Sequence, residues 1–187
     1  TYSFDNPPTG SIAFTSGMIA LAERAIAEWE AVANINMVRV SGNADMYFSV
    51  DTLDPGVAGL TTSYAVGAEL TSVDVQVDTE YATSTYGGFG YLVLLHEIGH
   101  GLGLKHPGFY GPGDVAPFLP LSQDTVQTTV MSYNDGILAG SISNVPVTPM
   151  FFDVAAIQYL YGANTSTNGG NSTYNVGSLG GGPRTLW

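Results

Sequence analysis

The chain has 187 residues, long enough for one domain with a core of its own, and 44% of them are apolar, which excludes a disordered polypeptide. Sixteen acids against four bases give a formal charge of −12, so a polyanion is repelled and a nucleic-acid partner is not expected. Cysteine is absent, which excludes thiolate catalysis, cysteine-ligated metal and a disulfide framework, and no apolar run reaches the roughly 18 residues of a membrane span.

No basic, apolar leader opens the sequence, so a targeting segment is expected to have been removed or never attached. Residues 2–5 read as a short strand closed by Asn6-Pro7-Pro8. From Ser16 to Ala33 the pattern is helical, with Met18, Ala22, Ala25, Ile26, Trp29, Val32 and Ala33 on one stripe, Ser16 as N-cap and Asn34 as stop. Asn36–Val40 and Asp45–Val50 follow as β-rich runs around the turn Ser41-Gly42-Asn43. Leu60–Val66 is more polar, as an edge strand is. Ser72–Asp78 alternates strictly, with Val73, Val75 and Val77 on one face and Asp74, Gln76 and Asp78 on a solvated one. A second helix is predicted from Phe89 to Leu102. After it comes a long loop, 107–148, of a length that in a compact domain is more often functional than idle. The third helix is predicted over Pro149–Tyr161, with Thr148 as N-cap and Gly162 at C′. Beyond it the chain turns to Gly, Asn, Ser and Thr and cannot build a core. The element order predicts an α+β or α/β domain around a small twisted sheet.

All three histidines of the chain fall within "HEIGHGLGLKH", residues 96–106. On a helix, His96 and His100 lie on one face with a rise of about 6 Å, so two imidazoles can converge on one cation. Glu97 projects roughly 100° around the axis, beside that cation without ligating it. This is the H-E-x-x-H pattern in which the glutamate serves as general base. Interior glycines cost a helix about 0.8–1 kcal/mol each relative to alanine, yet Gly99, Gly101 and Gly103 all stand here. Gly103 can take the positive φ that ends a helix sharply and returns the chain, so that His106 brings a third nitrogen. Gly99 and Gly101 leave room for close packing. The full H-E-x-x-H-x-x-G-x-x-H form is met at every specified position. Three imidazoles leave a cation at least one open position, the arrangement of a catalytic zinc site rather than a structural one.

Downstream, "TTVMSYND" holds Met131, which at this distance from the motif forms an apolar floor beneath the imidazoles. Tyr133, two residues on, is aimed at the open coordination face. With these residues the chain resembles the metzincin metallopeptidases, and within them the serralysin family. Pro107 follows the third histidine, the turn reads Met131-Ser132-Tyr133, "DVAAIQYLYGAN" (153–164) is similar to the family's third-helix segment, and "RTLW" (184–187) to the point where the family runs on toward its β-roll. The resemblance implies an α+β metzincin-like domain with a small, mostly parallel five-stranded sheet, an antiparallel edge strand and three main helices. It also implies a catalytic domain over 1–162 and, in 163–187, the start of a C-terminal calcium-binding β-roll whose nonapeptide repeats this sequence lacks. Calcium is accordingly expected mainly through that missing region, and Asp74 and Asp78 are not read as a calcium site.

The function implied is that of a secreted, extracellular, monomeric zinc endopeptidase acting on protein or peptide substrates. Glu97 activates a zinc-bound water. Tyr133 stabilises the oxyanion and can serve as an extra zinc ligand at rest. An extended substrate is expected to pair with the edge strand Leu60, Thr61, Thr62, Ser63, Tyr64, Ala65 and Val66. A side-chain pocket is expected along Asn134–Thr148. Asp153 serves either the helix dipole or the holding of the Met131 turn or the chain N-terminus. The alternatives are a catalytically silent metzincin-like peptide-binding module, against which the intact Glu97 and histidines weigh, and a hydrolase acting on something other than peptides.

Overall fold

The computed structural model describes residues 1–5, 7–67, 69–83, 85–134, 145–174 and 182–187. Helix α1 (Ser16–Val32) buries Met18, Leu21, Ala22, Ala25, Ile26, Trp29 and Val32, the stripe that its 3.6-residue period predicts. Its N-cap is Thr15 rather than Ser16, because the Thr15 hydroxyl accepts the Met18 N–H at 3.4 Å. Such a cap contributes about 1 kcal/mol. The Ala33 N–H still bonds back to the Trp29 carbonyl, so the helix stops one residue before the predicted Asn34.

Among the described residues, four strands, β1 (Tyr2–Ser3), β2 (Met46–Asp51), β3 (Gly59–Val66) and β4 (Glu69–Asp78), make one sheet in the order β1-β2-β4-β3. The first two pairings are parallel and β3–β4 is antiparallel, with β3 at the edge. Met46, Phe48 and Val50 of β2 and Val73, Val75 and Val77 of β4 are all buried and enter the core. The predicted fifth strand, Asn36–Val40, is reduced to a bridge between Arg39 and Tyr2. With only two residues in β1, pairing ends after Tyr2 N–H to Val38 O and Val40 N–H to Tyr2 O. Asp78 also departs from the solvated face. It is buried and accepts the Leu53 and Glu80 N–H groups, closing the turns after β2 and β4.

Helix α2 (Phe89–Gly101) is apolar nearly all round and is buried from Gly90 to Gly99. It packs against α1, β3 and β4, and the Trp29 indole N–H donates to the Leu95 carbonyl at 3.2 Å, joining α1 to α2. Helix α3 (Phe151–Tyr161) begins two residues later than predicted, after Met150. The Thr148 hydroxyl is engaged elsewhere, accepting the Thr185 N–H at 2.8 Å. The first turn of α3 is closed instead by Asp153, whose carboxylate accepts the Met150 N–H at 2.7 Å. Gly162, at φ 81°, ends the helix as expected. Residues 183–187 return to the domain through Val147 N–H to Pro183 O and the Trp187 indole N–H to Asn164 O.

Candidate metal centre

The C-terminal half of α2 delivers two of the three histidines, His96 and His100, and the chain past its end delivers the third. Gly103 has φ 97°, and past it the chain reverses, with the Leu104 N–H returning to the Gly99 carbonyl at 2.9 Å. That reversal brings the His106 ring to a centroid separation of 4.7 Å from His100, while the helix period sets His96 4.7 Å from His100. One nitrogen from each ring lies within 4.8 Å of the others, and among the described residues no other group of three or more His, Asp and Glu meets in this way.

Each ring is turned inward by a partner on its outer nitrogen. His96 Nδ1 bonds the Val130 carbonyl at 2.8 Å, His100 Nδ1 the Leu104 carbonyl at 2.9 Å, and His106 Nδ1 the Asp114 carboxylate at 2.8 Å. A carbonyl or carboxylate demands a donor, so in each neutral ring the proton sits on Nδ1 and the lone pair on Nε2. His96 Nε2 is buried with no hydrogen-bond partner. His100 and His106 Nε2 approach to 3.1 Å with no proton between them in these tautomers. Two facing lone pairs and an orphaned third repel one another unless a cation lies among them. Bonds of about 2.0–2.1 Å to a tetrahedral zinc would set neighbouring nitrogens about 3.3 Å apart, close to the observed contact. The donor set therefore fits zinc. Burial holds His96 well below its ordinary pKa, with His100 adding to the effect, and burial pushes His100 down to about 4, so both rings are neutral near pH 7.

Glu97 is buried beside the triad. Burial pushes its carboxyl up to about 7, against the hydrogen bond from Thr61. A dication next to it would favour the carboxylate. Met131 is buried, and a Cβ on Gly99 would lie 2.7 Å from its sulfur and 3.1 Å from the Trp29 ring. The helix glycine is thus required by the residue beneath it. Tyr133 lays its ring 5.4 Å from His96, nearly parallel, and 4.6 Å from His106, and it stacks on Tyr110 at 4.8 Å. Burial, with the charges of Glu97 and Asp114 adding, pushes its phenol up to about 12, so it stays a donor at neutral pH.

Asp153 acts at a distance from the metal site. Its carboxylate accepts Thr129 Oγ1–H at 2.6 Å and Val130 N–H at 2.7 Å, fixing the turn whose Val130 carbonyl orients His96. The chain N-terminus pairs with Asp45 instead. Val130, Leu104 and Asp114 have no signature in the sequence, since two act through backbone carbonyls and the third stands in an irregular loop. Hydrogen bonds from His106 and from the Tyr110 and Gly111 N–H groups outweigh desolvation and hold the Asp114 carboxyl below its usual range.

Among the described residues, two recesses are lined both by Glu97 and by histidines of the triad. One is a cleft of about 540 Å³ lined by Gly59, Thr61 and Ser63 of β3 and by Glu97, His100 and His106. The other is a pocket of about 190 Å³ behind His96 and Glu97, walled by Val57, Tyr81, Phe89, Leu92 and Val93. Of the predicted pocket wall along 134–148, residues 135–144, with Ile137 and Leu138, lie outside the described residues. Of the predicted strand Leu60–Val66, Leu60, Thr61 and Ser63 border the cleft, whereas Thr62, Tyr64, Ala65 and Val66 do not line it.

The metallo-peptidase family M12B, reprolysin-like, matches residues 21–107, from α1 through the third histidine. The chain is 36% identical over 180 residues to a serralysin of Proteus mirabilis, 84% of this chain and 37% of that protein. It is 35% identical over 185 residues to serralysin C of Dickeya chrysanthemi, covering 91% of this chain and 38% of that protein. A metallopeptidase AprA of Pseudomonas marginalis is 31% identical over 186 residues, 91% of this chain and 39% of its own length. The chain thus spans less than two fifths of these curated relatives. Likeness along nearly all of the present chain, with a matching helix and three converging histidines, aligns it with the serralysin-type metzincins.

Proposed function

We propose that the protein is a zinc-dependent endopeptidase that hydrolyses extended protein or peptide substrates. The observation that carries this reading is the convergence of three Nε2 lone pairs beside a buried carboxylate, on a cleft bordered by an edge strand. His96, His100 and His106 would hold the zinc, which when bound supplies a Lewis acid that acidifies water and polarises a carbonyl. Glu97 then accepts a proton from water and delivers it to the leaving amine. Tyr133 donates its phenolic hydrogen to the oxygen on which negative charge develops. β3 receives the substrate main chain by strand pairing, which makes recognition largely independent of sequence. The apolar pocket beside Glu97 takes one apolar side chain next to the scissile bond.

In the same reading, residues 1–162 form the catalytic domain and 163–187 lead toward a C-terminal region that carries the calcium sites. The enzyme acts outside the cell as a monomer.

Casein hydrolysis by zinc-loaded protein, with and without a chelator, tests the activity. Chelator-sensitive cleavage is expected, and its absence from zinc-loaded protein points to a silent peptide-binding module. Glu97→Gln is expected to abolish turnover while zinc stays bound. Tyr133→Phe is expected to lower kcat far more than it raises KM. Cleavage-site mapping on a peptide library is expected to show an apolar residue adjoining the cut.

A further inference from the structure

A buried carboxylate takes its direction from whatever touches it, and two residues of β3 touch Glu97. Thr61 Oγ1 lies 2.7 Å from Glu97 Oε2 and 2.9 Å from the Glu97 carbonyl oxygen, so one hydroxyl bridges both ends of the same residue. The carboxylate is the closer and stronger acceptor. Among the described residues, Thr61 is the only side-chain donor that reaches the Glu97 carboxylate. Gly59 stands two residues before it, on the same face of the strand. A Cβ there would lie 2.7 Å from Glu97 Cγ, from Oε1 and from Val93 Cγ1. Bare backbone thus confines the glutamate on one side, and a hydroxyl ties it on another.

Strand alternation makes this arrangement specific. Alternation turns the Leu60 and Thr62 side chains away from the face that Gly59 and Thr61 share, and Leu60 is exposed. The histidines are oriented independently, through Val130, Leu104 and Asp114. Contacts of β3 with Glu97 can therefore change without touching the ligand set.

We propose that Gly59 and Thr61 are positioning residues for the general base, holding the Glu97 carboxylate in one orientation over the cleft. They act from the strand on which substrate would lie, so the surface that receives the peptide also aims the group that activates water. The proposal rests on Glu97 acting as the base.

The test compares zinc-loaded Thr61→Val, Thr61→Ser, Gly59→Ala and Glu97→Gln with wild type on labelled casein. It adds chelator competition for zinc and a crystal structure of the zinc-loaded valine variant. Thr61→Val is expected to lower kcat about tenfold, with KM and zinc affinity within about twofold of wild type, and Thr61→Ser to restore kcat. The Glu97 carboxylate should leave its wild-type orientation in the valine variant. Gly59→Ala is expected to lower kcat about 100-fold, the effect of a displacement of about 1 Å at a reacting group. The Thr61 pair carries the test if Gly59→Ala does not fold. A valine variant with wild-type kcat and an unmoved carboxylate overturns the proposal. So does a parallel loss of kcat and zinc affinity, which marks a merely structural role. Should Glu97→Gln retain turnover, the base assignment itself falls, a result distinct from any outcome at Thr61.

Discussion

Two of the three converging histidines and the third are held in place by different means. His96 and His100 stand on a buried helix and are oriented by peptide carbonyls, Val130 and Leu104. His106 stands past the helix end and is oriented by a side chain, the Asp114 carboxylate, itself fixed by the Tyr110 and Gly111 N–H groups. A carbonyl survives every side-chain substitution at its residue, whereas a carboxylate does not. The helix half of the site is therefore robust to mutation, and the loop half depends on one acid.

The largest effect on metal binding from any residue outside the ligand set is accordingly expected at Asp114. Asp114→Ala should weaken zinc binding about 10- to 100-fold, read by competition with a fluorescent chelator. An unchanged affinity would break the contrast between the two halves. Asp153→Ala acts behind His96 and leaves the Val130 and Met150 N–H groups without their acceptor. It should cost about 3 kcal/mol of stability in urea unfolding, with a smaller effect on zinc than Asp114→Ala.

Acid should affect the helix half. Folding depresses the pKa of His96 and His100, and that of His100 falls from 6.5 to about 4. In that interval these two rings bind more protons in the unfolded chain than in the folded one, so their contribution to the stability of the metal-free protein rises with pH. Glu97 and Asp153 oppose it, since burial raises their carboxyls to about 7 and about 6. The histidine contribution is lost as pH falls from about 6.5 toward 4. The difference between thermal melts of wild type and His100→Gln across that range measures the His100 part. The smallest effect on zinc is expected for Val130→Ala. The buried side chain is trimmed, at a cost of about 1–3 kcal/mol in stability, while the carbonyl that orients His96 remains. Zinc affinity within about twofold of wild type sharpens the contrast with Asp114.

The same division governs what could be read from the sequence. The ligands, Glu97 and the helix that carries them follow from periodicity and one glycine at the helix end. The alternation of Val73, Val75 and Val77 marks β4 for the same reason: each is a repeating local pattern. What orients those ligands was not legible. Val130 and Leu104 contribute main-chain oxygens that any residue would supply, and Asp114 is one acid in an aperiodic loop. Asn36–Val40 has the composition of a strand but only a two-residue neighbour to pair with, a fact of tertiary arrangement. Thr148 had the right chemistry for a helix cap, and the backbone of Thr185 claimed its hydroxyl.

The central claim is that three inward-facing Nε2 atoms share one zinc. Anomalous diffraction on either side of the zinc absorption edge, from crystals of metal-replete protein, tests it most directly. The account predicts one peak about 2.0–2.1 Å from Nε2 of His96, His100 and His106. A map with no peak among those rings, or with zinc bound only elsewhere on the protein, would contradict it.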